Sequence, residues 1–252
     1  MLRRLWSLDH LPIGANDGEI GRVVDMHFDD CQWRVRYLVV RTGGWLGGRR
    51  VLIPIQAVYG VEEHAGRIDV DLTRAQVRDS PVVDVDGSLS RPQEQAYFDH
   101  YGYSYYWTEP QVFGAASLSA GAALPERDPL GVQARERPPE GEPNDSPLHS
   151  AKAVSRYPVQ ATDGAAGHIE DFMLDRTSWA LRYVVVDTRK WLPGGHVLVP
   201  IERVRRLSRA ERAAYVDLSR AAIHDSPPAH EIARVSDYEA QLGRRPGRHP
   251  EP

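Results

Sequence analysis

An internal duplication constrains the fold of this chain more than any other feature. Residues 17–81 match residues 163–227 at a constant offset of 146 positions, without a gap, and 27 of the 65 aligned residues are identical. A period of this length is much longer than the roughly 20–50 residues of solenoid repeats. The sequence of 252 residues therefore predicts two copies of one domain.

The composition between the two copies differs from the composition within them. Residues 108–150 contain seven Pro, four Gly and four Ser, and they have too few large apolar side chains to offset their ordering entropy by burial. We expect a flexible linker there, between a first domain at 1–107 and a second domain at 151–243. We also expect a disordered tail at 244–252.

Each copy has the pattern of short β-strands. β-branched and aromatic residues dominate residues 33–42, where alternate side chains fall on one face. Residues 57–63 and 67–72 predict a hairpin, and Thr73 predicts the start of a short helix. The second copy repeats this order, although residues 208–215 have a higher helical propensity. We expect a mainly β fold with two small closed barrels in tandem, each followed by a short helix.

The repeated motifs resemble the PRC-barrel family. They are the D-G-x-x-G-x-[VI]-x-D turn and strand that begins at Asp17, the R-Y-[LV]-V-V strand at Arg36 and the V-L-[IV]-P-I strand at Val51. This family includes the cytoplasmic domain of the photosynthetic reaction-centre H subunit and the C-terminal domain of ribosome-maturation factors. The chain is most similar to bacterial proteins that carry two such domains in tandem. The resemblance implies a barrel fold over residues 1–107 and 151–240, but it implies no activity, because a fold does not determine a function. The H subunit has an N-terminal transmembrane helix, and this sequence has no such pattern.

Composition and motifs narrow the class of function. The net charge is −4, and no segment has the basic patch of a nucleic-acid-binding protein. The single cysteine, Cys31, excludes an internal disulfide and multi-cysteine metal sites. No apolar run approaches the ~18 residues of a membrane helix, and the first residues do not resemble a secretory signal. Nucleophile-elbow, phosphate-loop and zinc-protease motifs are absent. We therefore expect a soluble, cytoplasmic protein without catalytic, metal-binding or cofactor-binding residues.

A few polar residues could carry chemistry, but each has a simpler structural explanation. Asp25 and Asp171 occupy matched strand positions, and an acid on the solvent face of an edge strand, or one bonded to a turn, explains them. Arg36 and Arg182 alternate outward and can pair with these acids across the barrel. Residues 84–88 resemble a calcium loop only faintly, and a plain turn fits them better.

Two matched loop dipeptides are candidate contacts with a partner. Trp45-Leu46 and Trp191-Leu192 lie in loops rich in Gly or Pro, and tryptophan is enriched at interface hot spots. In the alternative interpretation, each Trp-Leu pair folds back and closes one end of its barrel.

An aromatic segment at residues 97–107 occurs only in the first copy. Seven of its eleven residues are aromatic, which is too many to leave in water without an exposed apolar patch. The segment either packs across a groove of its own chain or binds another protein, whereas nucleic-acid stacking is disfavoured because it contains no Arg or Lys. Its candidate contact residues are Tyr101, Tyr103, Tyr105, Tyr106 and Trp107.

These observations predict an adaptor rather than an enzyme. Two linked modules without a catalytic constellation can bind a protein partner at two sites, or pair with each other within one chain or in a dimer. An alternative rests on the resemblance alone: an accessory of a photosynthetic or electron-transfer complex, in peripheral contact with the membrane surface. A third hypothesis is a small-molecule-binding protein or enzyme with a pocket between the barrels.

Overall fold

The structure, a computed structural model of the chain, describes residues 2–62, 66–82, 89–107, 148–189 and 195–230. We call residues 2–107 the first half and residues 148–230 the second half. Residues 108–147 of the predicted linker and the whole predicted tail at 244–252 lie outside the described residues. In the described part of the chain, no helix has the length and apolar character needed to cross a bilayer.

Strands dominate both halves, and each strand of the first half has a counterpart 146 residues later. The first half contains β1 (Leu2–Arg4), β2 (Pro12–Ala15), β3 (Gly18–Asp29), β4 (Arg34–Thr42), β5 (Arg50–Pro54), β6 (Val58–Glu62) and β7 (Arg67–Val70). The second half contains β8 (Leu148–Ser150), β9 (Pro158–Ala161), β10 (Gly164–Asp175), β11 (Ala180–Asp187), β12 (His196–Pro200), β13 (Val204–Ser208) and β14 (Ala213–Val216). The predicted mainly β fold is confirmed.

Short helices accompany the strands. The described α-helices are α1 (Arg74–Arg78), α2 (Arg91–Tyr101), α3 (Ala151–Val154) and α4 (Arg220–His224), and 3₁₀ turns span Leu5–Leu8, Gly44–Leu46, Ile55–Ala57 and Ile201–Arg203. As predicted, Thr73 caps α1, because its side chain accepts a hydrogen bond from Gln76 N. Tertiary packing overrides the helical propensity of residues 208–215. They form the end of β13, the hairpin turn and most of β14, where Ala213 and Ala214 are buried.

The strands of each half follow the same order. In the first half the order is β5-β4-β3-β2-β7-β6, with β2 and β7 parallel and the other neighbours antiparallel. The second half repeats it as β12-β11-β10-β9-β14-β13. Among the described residues, β5 does not pair with β6, and β12 does not pair with β13. The expected closure of each copy into a separate barrel is therefore not formed by these pairings.

Each half instead gives its first strand to the other half. β1 pairs antiparallel with β10, so that Leu2 lies opposite Asp175, and β8 pairs antiparallel with β3, so that Leu148 lies opposite Asp29. A further pair joins β4 to β11 at Arg34 and Ala180, which connects all fourteen described strands into one hydrogen-bonded network. The two copies thus pair within the chain by reciprocal exchange.

The exchange corrects one predicted boundary. The sequence analysis assigned residues 148–150 to the linker, but they form β8 and belong to the second half. The repeat also extends upstream to residues 2–16, a stretch that shares only three identities with residues 148–162. One apolar core contains buried residues of both halves, and the rings of Phe28 and Phe172 meet across them with centroids 5.2 Å apart.

Candidate interaction site

A repeated aspartate holds each exchanged segment in place. We call residues 2–8 the first arm and residues 148–154 the second arm. The carboxylate of Asp25 accepts hydrogen bonds from two groups of the second arm, Lys152 N at 3.0 Å and the Ser150 hydroxyl at 2.5 Å. A carboxylate near backbone N–H groups that start a helical turn satisfies donors that the turn itself leaves unpaired.

Asp171 makes the equivalent contact with the first arm. Its Oδ1 accepts hydrogen bonds from Trp6 N at 3.2 Å and from Phe172 N at 2.7 Å. Burial raises the pKa of the Asp171 carboxyl to about 6, although these two N–H donors act in the opposite direction. The side chains of Asp25 and Asp171 are therefore structural contacts between the halves.

The predicted environment of these acids is wrong. Neither acid lies on a solvent face or bonds to a turn of its own copy, because the arm of the other half covers each one. Asp25 is 9% exposed and Asp171 is 2% exposed. The predicted arginine partners are also wrong: Arg36 pairs with Asp29 at 2.5 Å and Arg182 with Asp175 at 3.7 Å.

Two matched tryptophans, Trp33 and Trp179, take part in the junction between the halves. Trp33 and Trp179 both adopt positive φ angles, of 54° and 56°, which are unusual for large side chains. Val35 N donates to Trp179 O at 2.9 Å, and Leu181 N donates to Trp33 O at 2.7 Å. The carbonyl groups of both residues therefore take part in main-chain hydrogen bonds between the two halves.

Trp45 folds back onto its own half. Its Nε1 donates to Ile20 O at 2.8 Å, and the Arg74 guanidinium lies over its ring at 4.4 Å from the centroid. Trp45 and Leu46 are half-buried and pack against the core. Of the two interpretations of this loop, the structure shows the folding back of Trp45 and Leu46 onto their own half. Trp191 and Leu192, the other predicted contact pair, lie outside the described residues.

The aromatic segment packs on its own chain. Tyr101 and Tyr106 are buried, so a partner cannot reach them as the sequence analysis proposed. The other three predicted contact residues are half-buried against the core, and they are Tyr103, Tyr105 and Trp107. The first of the two alternatives for this segment therefore describes the structure.

A buried glutamate that the sequence analysis missed anchors this segment. Glu94 of α2 is fully buried and accepts hydrogen bonds from Arg91 Nη1 and from the Tyr106 hydroxyl, both at 2.8 Å. Burial and the adjacent Glu94 carboxylate raise the pKa of Tyr106 well above its ordinary value. The Arg36 guanidinium also lies over the Tyr106 ring, at 4.0 Å from the centroid. In sequence, the i,i+3 spacing of Arg91 and Glu94 was the available signal, but such pairs usually lie on an exposed helix face.

An open groove lies where the two halves meet. One wall is the edge strand β6, at residues 58–61, and the other is the β10–β11 turn, with Arg176, Thr177 and Trp179. The cavity has a volume of about 400 Å³. Tyr59 on this edge is 70% exposed, and Arg176 Nη2 donates to Val61 O at 2.9 Å, which joins the walls.

The matched edge of the second half is chemically different. Arg205 and Arg206 stand on β13 at the positions of Tyr59 and Gly60, and they pair with Asp217 at 3.1 Å and Glu211 at 2.8 Å respectively. Charged side chains on an edge strand oppose the addition of another strand. The edge of β6 lacks this protection at Tyr59 and Gly60.

The described residues contain no group of three or more His, Cys, Asp or Glu side chains placed to hold a metal ion. The predicted weak calcium-loop candidate at 84–88 lies outside them. Cys31 is an exposed residue of the β3–β4 turn.

Comparison with known proteins places the first half in a family. The family model for the PRC-barrel domain matches residues 13–77. These residues are a PRC-barrel domain. They begin in β2 and end in α1, so the match includes Asp25 and one wall of the groove, β6, but neither of the two arms.

A relative in Deinococcus radiodurans is described only as an uncharacterized protein. It is 36% identical over 66 residues, which are 26% of this chain and 23% of the relative. The chain thus covers about a quarter of the length of this relative. The similarity supports a shared domain and carries no activity.

Proposed function

We propose that this protein is a non-enzymatic adaptor that binds protein partners, and that its second half is a second PRC-type domain. The second part of the proposal rests on the one-to-one correspondence of the strands in the two halves. The non-enzymatic part of the proposal rests on the structural use that the chain makes of its repeated polar and aromatic residues. Asp25, Asp171, Trp33 and Trp179 serve the junction, so their repetition needs no reaction to explain it.

The groove between β6 and the β10–β11 turn is the observation that carries the adaptor proposal. It is built from both halves, and hence it exists only in the assembled protein. An extended segment of a partner could add to the edge of β6 through main-chain hydrogen bonds, with Tyr59 as an aromatic contact. Arg176 would border the same segment.

Affinity capture with matched edge variants tests this function. The bait is the full chain, in wild-type form, as Tyr59→Ala and as Arg205→Ala, which changes the equivalent position of the other half. We expect the wild type and Arg205→Ala to retain the same proteins and Tyr59→Ala to lose them. Equal capture by all three baits would contradict a contact at the β6 edge, and turnover of a substrate by the purified chain would contradict the non-enzymatic role.

A further inference from the structure

Three arginines lie side by side on neighbouring strands of the first half. The register places Arg22 of β3 opposite Arg41 of β4, and Arg41 opposite Arg50 of β5. Directly paired residues project from the same face of a sheet, and adjacent strands are about 4.8 Å apart. We call Arg22, Arg41 and Arg50 the arginine row, and it extends over about 10 Å of the surface.

The positive charge of this row is not balanced at its exposed end. Arg22 and Arg41 are exposed, and Arg50 is half-buried. Within the described residues, Arg41 has no ion pair, and the one hydrogen bond of the Arg22 guanidinium goes to a neutral group, His10 O, at 3.1 Å. Like charges directly opposite each other on a sheet are destabilising, so the pair of Arg22 and Arg41 carries an energetic cost that a bound anion would relieve.

The second half shows that the fold does not require this row. The matched residues are His168, Asp187 and His196, whose register is the same. There a carboxylate occupies the centre, with His168 Nε2 at 3.7 Å and His196 Nε2 at 3.9 Å from Asp187 Oδ2. Arg189 also pairs with Asp187 at 2.7 Å, and hydrogen bonding from Arg189 holds the pKa of Asp187 well below its ordinary value. The central position therefore holds a paired carboxylate, Asp187, in one copy and an arginine without an ion pair among the described residues, Arg41, in the other.

We propose that the arginine row is a binding site for a phosphate-bearing ligand, either free in solution or as a lipid headgroup. The planar guanidinium offers paired N–H donors that match phosphate oxygens, and neighbouring arginines can share the oxygens of one phosphoryl group or of two linked ones. Attraction must come from the row itself, because the net charge of the chain is −4. The site is independent of the proposed protein-binding groove, which lies on the edge of β6.

Titration of the full chain with inorganic pyrophosphate, followed by calorimetry, tests the site. The test variant is Arg22→Gln with Arg41→Gln, and the matched control is Arg205→Gln with Arg206→Gln, which removes two exposed arginines that are already paired with acids. We expect saturable binding by the wild type and the control, and an affinity about tenfold or more lower for the test variant. A double variant, Arg22→Lys with Arg41→Lys, should bind with intermediate affinity, because it keeps the positive charge and loses the paired N–H donors of the guanidinium.

A vesicle-sedimentation assay identifies the source of the phosphate. Phosphatidylcholine vesicles with and without phosphatidic acid are sedimented with the same four proteins. Binding that requires phosphatidic acid and the arginine row indicates a headgroup, whereas pyrophosphate binding without vesicle binding indicates a free ligand. The absence of binding in both the calorimetric and the vesicle assays would overturn the proposal. An equal loss of affinity in the test and control variants would also overturn it.

Discussion

The two halves of this chain have the same strand order, but they differ in what their surfaces can do. The residues that join them are repeated: Asp25 and Asp171 each bind the arm of the other half, and Trp33 and Trp179 exchange main-chain contacts. The exposed positions have diverged, as Tyr59 shows against its counterpart arginine on β13. The comparison teaches that the junction has retained its chemistry after duplication while the outer faces have not.

The difference extends to the segment after the repeat. In the first half, α2 and the aromatic residues that follow it cover the outer face of the sheet and bury Glu94. In the second half the described chain ends at residue 230, after α4. The first half thus has a polar anchor that the repeat itself does not supply.

The largest expected effect on stability comes from removing one aromatic ring from the core that the two halves share. Phe172→Ala removes a fully buried ring that contacts Phe28 of the other half, and we expect the free energy of unfolding to fall by about 3–5 kcal/mol. Thermal and denaturant unfolding should remain a single transition, because both halves lose the same contact. Tyr59→Ala, which truncates an exposed ring, should change stability by less than about 0.5 kcal/mol. Two separate transitions in Phe172→Ala would show that the halves unfold independently.

The next effect is a pH dependence of stability at Asp171. The folded protein holds the Asp171 proton with a pKa of about 6, against an ordinary value of 3.8, so the folded state is favoured by protonation of this group. Its contribution to stability is therefore greatest below pH 4 and is lost as the pH rises through 6, by on the order of 3 kcal/mol. The difference in unfolding free energy between the wild type and Asp171→Asn, measured from pH 4 to pH 7, isolates this group. A difference that stays constant over that range would contradict the assignment.

Truncation of Asp25 and of Asp171 to alanine should lower the free energy of unfolding by different amounts. Asp25→Ala leaves Met26 N, Lys152 N and the Ser150 hydroxyl without their acceptor, and we expect a loss of about 2–3 kcal/mol. Asp171→Ala leaves two N–H groups and also removes an unfavourably buried charge, so it should cost less at pH 7. Chemical denaturation of both variants at that pH decides the order, and a larger loss for Asp171→Ala would contradict it.

The smallest expected effect concerns the segment that only the first half contains. Tyr106→Phe removes the hydroxyl that donates to buried Glu94, and we expect a loss of about 1.5 kcal/mol. Tyr105→Phe is the matched control, because the Tyr105 hydroxyl bonds to exposed Asp99 and should contribute less than about 0.5 kcal/mol. Equal effects of the two variants, measured by denaturant unfolding, would mean that Glu94 does not anchor the segment.

Local pattern was sufficient to predict β4 and the start of α1. The alternation in residues 34–42 and the cap at Thr73 are set by neighbouring residues, and the structure has both. The pairing of β1 with β10 was missed because a three-residue strand has too little pattern of its own. Its partner is also more than 160 residues away.

The site was harder to predict because its burial comes from distant segments. Asp25 lies within the alternating strand β3, and nothing near it in sequence indicates that an arm from the other half covers it. Glu94 is buried for a similar reason, since Tyr106 folds back over α2. The arginine row could have been read from the sequence only with the register of three strands in hand.

Cleavage of the chain between its halves tests the reciprocal exchange most directly. The chain would carry a protease site inserted between residues 108 and 147, and the cleaved product would be analysed by size exclusion with mass measurement under native conditions. The account predicts that both fragments elute together with the mass of the intact chain, and that Asp25→Ala combined with Asp171→Ala weakens their association. Elution of two folded fragments at separate positions would contradict it.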